Sequence, residues 1–301
     1  NLYHKRYLKI KEVLLMKILV TGATGKLGSL VVENLLNLTS TENIAVSVRD
    51  ITKANYLKEK VIEVRFGDFD KPESLTTAFK DIDKLLIIST DGDNDTRIRQ
   101  HKNAINAAKE NNVKFIAYTS VGKADTNTLP LAIVHKETEK SIIETGIPYS
   151  FLRNNWYLEN EISSFKEAVT TNIWTNSIDD AKVSWALRKD YAEAIAKVLT
   201  TDGHENTVYE LSRKPVSVKE LVGEISKATG KEITVNNIDK TQYSEMLKSN
   251  GLPEPVVEFI VSLQTSITNG SLNVESEDFE KLLGHSVTSI EDSVKEIINN
   301  L

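Results

Sequence analysis

The stretch of this sequence that most constrains its fold is Gly22-Ala23-Thr24-Gly25-Lys26-Leu27-Gly28, set between an apolar run and an amphipathic one. Lys17–Thr21 reads as a strand and Leu27–Leu38 as the helix that follows it. A glycine turn in that position presents free backbone N–H groups, and the positive end of the helix, to an anion. Gly22 permits the tight turn, Gly25 lets the backbone approach a pyrophosphate, and Gly28 lets the helix lie close to the strand. The spacing is GxxGxxG, not the GxGxxG of the standard dinucleotide fingerprint, and its weight comes from its place between a strand and a helix. Gly22, Ala23, Thr24, Gly25, Lys26, Leu27 and Gly28 are therefore expected to hold the phosphates of a dinucleotide.

The rest of the first half repeats the alternation that builds a parallel sheet. Strands are expected at Ile44–Val48, Val61–Phe66, Lys84–Ser89, Lys114–Thr119 and Tyr149–Leu152. Helices are expected over Asp95–Asn111, with Ile98, Ile105 and Ala108 on one face, and over Leu131–Glu144, closed by Gly146 and Pro148. After Arg153 the regularity changes. Short β-like runs (Asn172–Asn176, Lys182–Trp185, Val208–Leu211, Glu232–Val235) mix with helices near Lys189–Thr200, Val218–Thr229 and Thr241–Ser249. Leu252–Pro255 reads as a local break. The expected class is α/β: a Rossmann-type doubly wound parallel sheet with a smaller, interlaced C-terminal α+β lobe. Its 301 residues, 40% of them hydrophobic, suffice for one large core or for one core and a smaller lobe. The dinucleotide-binding domain is expected over 16–153. The substrate-side lobe is expected over 154–301, with segments returning to the first domain.

Residues 1–15 run against the net charge of -6: Lys5, Arg6, Lys9 and Lys11 against Glu12 leave +3 there, and about -9 on the remainder. They are expected to be an extension outside the fold, with Met16 as the natural start. An acidic body without a basic stripe argues against nucleic acid and against an anionic membrane surface. No run approaches the roughly 18 apolar residues of a membrane helix. The chain has no cysteine, which excludes disulfides, thiolate metal sites and a cysteine nucleophile, and fits a cytoplasmic protein. Its five histidines are scattered, so no metal is expected.

The strand ends carry the next signals. Strand two closes on Val48-Arg49-Asp50. An acid there holds the ribose 2′-hydroxyl of NAD, whereas an arginine accommodates a 2′-phosphate. Arg49, helped by Lys53, points to NADPH, and Asp50 points the other way if it faces the ribose. Asp68 could accept from an adenine amine with Phe69 on the ring edge, or the segment could cap the helix before Pro72. Ser89, Thr90 and Asp91 end strand four at the carboxyl edge where ligands of such sheets bind, and would border the cofactor's ribose or nicotinamide.

With Val48-Arg49, Lys114-Phe-Ile-Ala-Tyr-Thr-Ser120, Thr138-Glu139-Lys140 and Leu152-Arg-Asn-Asn-Trp-Tyr-Leu-Glu-Asn160 beside the glycine turn, the chain resembles the NmrA-like branch of atypical short-chain dehydrogenases. The resemblance runs from about Met16 to the end and includes His101–Ala108 and Val208–Leu211. It implies a Rossmann domain, NADPH across Gly22–Leu27, Arg49 and Ser89–Asp91, and a quinone or similar aromatic acceptor beside the nicotinamide. Asn154, Asn155, Trp156, Tyr157, Leu158 and Glu159 match the segment lining the cofactor and substrate cleft. Asn155 stands where the family segment has glycine, and a larger side chain there would narrow the cleft.

Typical short-chain dehydrogenases protonate the carbonyl oxygen with a tyrosine four residues before a lysine. On the Leu131–Glu144 helix Lys140 is present, but Lys136 stands four residues earlier; the tyrosine is missing. Hydride addition to a quinone leaves a phenolate, close to a tyrosine's pKa of roughly 10, which can draw its proton from water. The absence fits a quinone reductase, or a non-catalytic NADP(H)-sensing regulatory protein, better than a ketone reductase. It also weighs against a sugar-nucleotide or benzylic-ether reductase. Tyr118 could stack on the acceptor or pack in the core. Trp156 and Tyr157 could wall the cleft or anchor the second lobe. His135 and Lys136 are candidate proton donors on what otherwise reads, with Glu137, Glu139 and Lys140, as a solvated stripe. A homodimer is the expected assembly.

Overall fold

The computed structural model describes residues 16–301; the extension expected over residues 1–15 lies outside the described residues. Seven strands form the main sheet: β1 (Ile18–Thr21), β2 (Ile44–Val48), β3 (Glu63–Phe66), β4 (Lys84–Ile87), β5 (Phe115–Val121), β6 (Tyr149–Asn154) and β7 (Thr207–Leu211). Their order is β7-β6-β5-β4-β1-β2-β3. From β3 through to β5 every neighbouring pair is parallel. The chain winds outward from β1 through β2 and β3, then returns to lay β4 on the other side of β1. At such a reversal, beyond the carboxyl ends of β1 and β4, open α/β sheets bind ligands. β1, β2 and β4 are buried at every position, as strands covered on both faces must be, which is why they are apolar runs without alternation.

The helices that matter for the site are α1 (Gly28–Leu38), α2 (Pro72–Ala78), α3 (Asn94–Glu110), α4 (Ala132–Thr145) and α5 (Arg188–Thr200). Several expected boundaries move. Val61 has φ 62° and is solvent-exposed, so it turns the chain and strand three starts at Glu63. Strand four stops at Ile87, which puts Ser89 and Thr90 in the loop beyond it. Strand five runs further than expected, to Val121.

The chain divides into two compact units. The first, within 16–120, 134–152 and 192–209, holds the sheet's parallel strands and a core that includes Leu19, Phe79, Leu85, Ile105, Ile116 and Phe151. The second, 121–133, 153–191 and 210–301, packs Phe165, Trp174, Trp185, Leu221, Ile225 and Val294 together. It is more helical than its sequence suggests. Helices at Ile162–Thr171, Glu254–Thr268, Asp278–Leu283 and Ile290–Asn299 were not expected.

The supposed break at Leu252–Pro255 is a helix start. Pro253 is the N-cap and Pro255 sits in the first turn, where a missing N–H leaves no bond unmade. The Lys182–Trp185 run splits in two. Lys182–Val183 pairs antiparallel with Val216–Ser217, and Trp185–Ala186 pairs parallel with Trp156–Tyr157. Among the described residues no helix is long and apolar enough to cross a membrane.

Candidate cofactor and active site

The glycine turn follows β1 as expected. Gly22 adopts φ +62°, and the Gly25 N–H closes the turn on the Gly22 carbonyl at 2.9 Å. A Cβ on Gly28 would lie 2.2 Å from the Gly22 oxygen and 2.9 Å from the Ala23 Cα, all backbone. The first turn of α1 therefore rests directly on the glycine turn. A Cβ on Gly25 would meet only the Gly22 oxygen, at 3.2 Å, so its outer face is open to a ligand. Thr24, Gly25 and Lys26 are exposed, while the side chains of Ala23 and Leu27 point into the core. Among the described residues no side chain caps α1, and its first turn holds no acid. Its leading N–H groups are thus uncommitted to any side-chain acceptor, and the arrangement fits a pyrophosphate.

At the end of β2, Arg49 is exposed and makes no hydrogen bond or ion pair among the described residues. Asp50 is committed elsewhere. Its Oδ1 accepts from the Thr52 N–H at 3.0 Å and the Thr52 hydroxyl at 2.5 Å, capping a short 3-10 turn. These bonds hold its carboxyl below the usual range. Lys53 is exposed in the same turn. The guanidinium is available to a phosphate, and the acid is already bonded.

At the end of β3, Asp68 accepts the Asp70 N–H at 3.0 Å, and Ser74 Oγ donates to the Asp68 carbonyl. Lys71, not an aspartate, is the N-cap of α2, with Pro72 behind it, so the capping alternative does not hold. Phe69 belongs to the core of the first unit, which leaves little ring to face an adenine. Ser89 and Thr90 are better placed, partly exposed beyond β4. The Ser89 N–H donates to Thr119 Oγ1 at 2.9 Å.

The Thr90 N–H donates to His101 Nε2 at 3.0 Å, and His101 Nδ1 meets Thr138 Oγ1 at 2.8 Å. Thr138 spends its own proton on the Val134 carbonyl. Nδ1 must therefore carry the histidine proton, and His101 is neutral. Burial, then the charge of Arg97, push its pKa down to about 3.

Tyr118 is fully buried, with its hydroxyl 2.8 Å from His135 Nδ1. It is a core residue, and no ring face is left for an acceptor. His135 is buried as well, and burial followed by Arg97 holds its pKa well below the usual value. As a neutral, enclosed imidazole it is no proton donor to a bound molecule. Lys136 is exposed. The expected solvated stripe fails at Glu139, which is buried and accepts the Ser120 hydroxyl at 2.5 Å. Sequence reasoning missed Arg97, His101, Thr138 and the Ser120–Glu139 pair. A signal existed: Arg97 and His101 share a helix face with Ala104 and Ala108, all four buried, so polar residues occupy core-facing positions.

The second unit holds the other expected residues. Asn154 donates to the Tyr157 hydroxyl at 2.9 Å, and Asn155 to Ser212 Oγ at 2.9 Å. Both amides are buried, and both amide oxygens lack a hydrogen-bond partner among the described residues. Asn155 is turned inward, so it does not narrow an open cleft. Leu158 is fully buried, a core residue instead of a lining one. Tyr157 lies under the Arg188 guanidinium, 4.8 Å from ring centre, and Glu159 accepts the Arg188 N–H at 2.9 Å. Glu161 Oε1 takes both indole N–H groups, from Trp156 at 3.0 Å and Trp185 at 3.2 Å. Burial pushes its carboxyl up, against those two bonds.

Comparison with known proteins joins these observations. The model of the NmrA-like family matches residues 16–294. The chain belongs to the NmrA-like family. Quinone oxidoreductase 2 of Escherichia coli (strain K12) is 39% identical over 94% of this chain and 99% of its own length. The crystal structure of the NADPH-dependent quinone oxidoreductase from Escherichia coli complexed with NADPH covers 94% of this NmrA-like chain and 100% of its own, with TM-score 0.90 and 39% identity. The Citrobacter sp. triphenylmethane reductase complexed with NADP(H) has TM-score 0.89 and 36% identity, covering 94% of this chain and 100% of its own. With this family goes the Rossmann-type α/β sheet seen here.

Proposed function

We propose that this chain is an NADPH-dependent quinone oxidoreductase, reducing quinones by direct hydride transfer. The observation that carries the reading is the pairing at the end of β2: an exposed Arg49 with no hydrogen bond or ion pair among the described residues, beside an Asp50 already bonded to Thr52. Gly22–Gly28 would hold the pyrophosphate, Arg49 with Lys53 the 2′-phosphate, and Ser89, Thr90 and Asp91 the border of the ribose and nicotinamide. Asp68 would bond the adenine amine. NADPH, when bound, supplies the hydride. We assign contact with the flat acceptor to Trp156 and Tyr157, with Asn154 and Glu159 nearby in the same segment.

No dedicated acid is required of the protein. Hydride addition converts a quinone to a hydroquinone anion, and water supplies its proton. The protein's part is orientation and the exclusion of competing reactions. A cysteine-free chain suits a reducing compartment, and we place the enzyme in the cytoplasm, as a homodimer. The dinucleotide-binding role belongs to residues 16–153 and the acceptor side to 154–301.

Purified protein is expected to oxidise NADPH when a simple benzoquinone is added. Tight NADPH binding with no turnover across several quinones would overturn the reading in favour of a non-catalytic NADP(H) sensor. Arg49→Gln is expected to reduce the preference for NADPH over NADH by about 10- to 150-fold, the loss of one or two charge-assisted bonds. Parallel titrations with both cofactors measure it. An unchanged ratio would remove Arg49 from the phosphate site.

A further inference from the structure

Arg97 is the least expected charge in the first unit. It sits on α3, only 8% exposed. Its contacts are neutral: a guanidinium nitrogen donates to Ser89 Oγ at 2.8 Å and stands 3.5 Å from His135 Nε2. Its buried Nε has no hydrogen-bond partner among the described residues. It forms no ion pair with a described carboxylate; the acidic groups that reach it electrostatically are the buried Tyr118 hydroxyl and, after it, Asp91, which is exposed. Both histidines that feel its charge, His101 and His135, are held neutral. A buried cation without a counter-ion is costly, and a fold that keeps one places a fixed positive field nearby.

The field has an outlet. Arg97 can only donate, so Ser89 Oγ accepts from it, while the Ser89 N–H is spent on Thr119. Ser89 Oγ, which also hydrogen-bonds the buried Tyr118 hydroxyl, stands on a partly exposed loop at the carboxyl end of β4. One hydroxyl group thus separates the guanidinium from the carboxyl edge of the sheet at its switch point. The two redox states of a nicotinamide differ there by a full charge. The dihydro ring is neutral and the oxidised ring is a cation.

We propose that Arg97 is a redox-state discriminator, which makes the site hold NADPH in preference to NADP+ and helps expel the oxidised cofactor after turnover. The inference rests on the reading above that Ser89 and Thr90 border the nicotinamide end of the cofactor. Like charges several ångströms apart at an effective dielectric near 20 repel strongly enough to change an affinity about tenfold or more. Arg97 is a positioning and selecting residue, not a catalytic one.

The test is a pair of binding titrations, NADPH and NADP+, without acceptor. The parent protein is expected to bind NADPH at least about tenfold more tightly. Arg97→Gln keeps a donor for Ser89 and removes the charge, so the two affinities should converge, mainly through tighter NADP+ binding. Arg97→Lys keeps the charge and should keep the preference. A parent that binds both forms equally, or an Arg97→Gln protein with the parent's ratio, overturns the inference while leaving the cofactor site intact. Failure of the parent to bind either form rejects the site reading, and the inference with it. If Arg97→Gln does not fold, the parent's own ratio and that of Arg97→Lys still decide.

Discussion

Replacing Gly28 by alanine is expected to lower the melting temperature by about 2–5 °C and to weaken NADPH binding at least about tenfold. The added methyl would stand 2.2 Å from the Gly22 oxygen and 2.8 Å from the Gly22 carbonyl carbon. Neither atom belongs to a side chain that can swing aside. Either α1 retreats from the sheet or the glycine turn opens. Retreat loosens Val31, Val32 and Leu35, all fully buried. Opening the turn disperses the N–H groups proposed to hold the phosphates. Overpacking of this kind costs about 1–3 kcal/mol, and both routes damage the same site.

Gly25→Ala makes the informative contrast. Its only close neighbour would be the Gly22 oxygen, at 3.2 Å. It should leave the melting temperature nearly unchanged and act on cofactor affinity. Thermal denaturation with and without NADPH separates the two. A Gly28→Ala protein as stable as the parent would mean that the helix does not rest on the turn.

The second large effect is acid lability. In the unfolded chain His101 and His135 take up protons as the pH falls through about 6.5. In the folded protein both are enclosed and neutral. His101 resists protonation down to about 3, through burial and the charge of Arg97, and His135 is shifted the same way. The unfolded state therefore binds more protons across this window, so stability rises with pH there. The contribution is complete above pH about 6.5 and is lost as the pH falls toward 3. Each histidine contributes up to ~1.4 kcal/mol per pH unit, so going from pH 7 to pH 5 should remove about 3–4 kcal/mol.

Urea midpoints at pH 7 and pH 5 read this directly. His101→Gln, which can still receive the Thr90 N–H, should show a pH dependence shallower by about one proton. The same slope in parent and variant would show that His101 is not the group responsible. Glu63, held at about 2 by Arg65 and Lys17, loses its contribution in the same direction, as the pH falls from about 4.5 toward 2.

Much of the first unit was legible because its signals are local. β2 matches its expected bounds, and the glycine turn follows β1 as read, because a buried parallel strand is an uninterrupted apolar run and a strand-to-helix turn needs glycine at fixed offsets. The second unit was harder to read. Its helices at Ile162–Thr171 and Asp278–Leu283 are short, and the prolines that look like a break at Leu252–Pro255 begin a helix. Proline's meaning depends on which turn of a helix it enters, and that depends on what the helix packs against.

The site divides along the same line. By itself the sequence determined which groups stand at each strand end: the glycine turn after β1, Arg49 after β2, and no tyrosine four residues before Lys140. Tertiary structure alone decided which polar groups are spent. It sank Tyr118, His135 and Leu158 into cores, and buried Arg97 behind Ser89 with no ion pair among the described residues. Bond directions and burial come from residues far apart in the chain, and no spacing along the sequence records them.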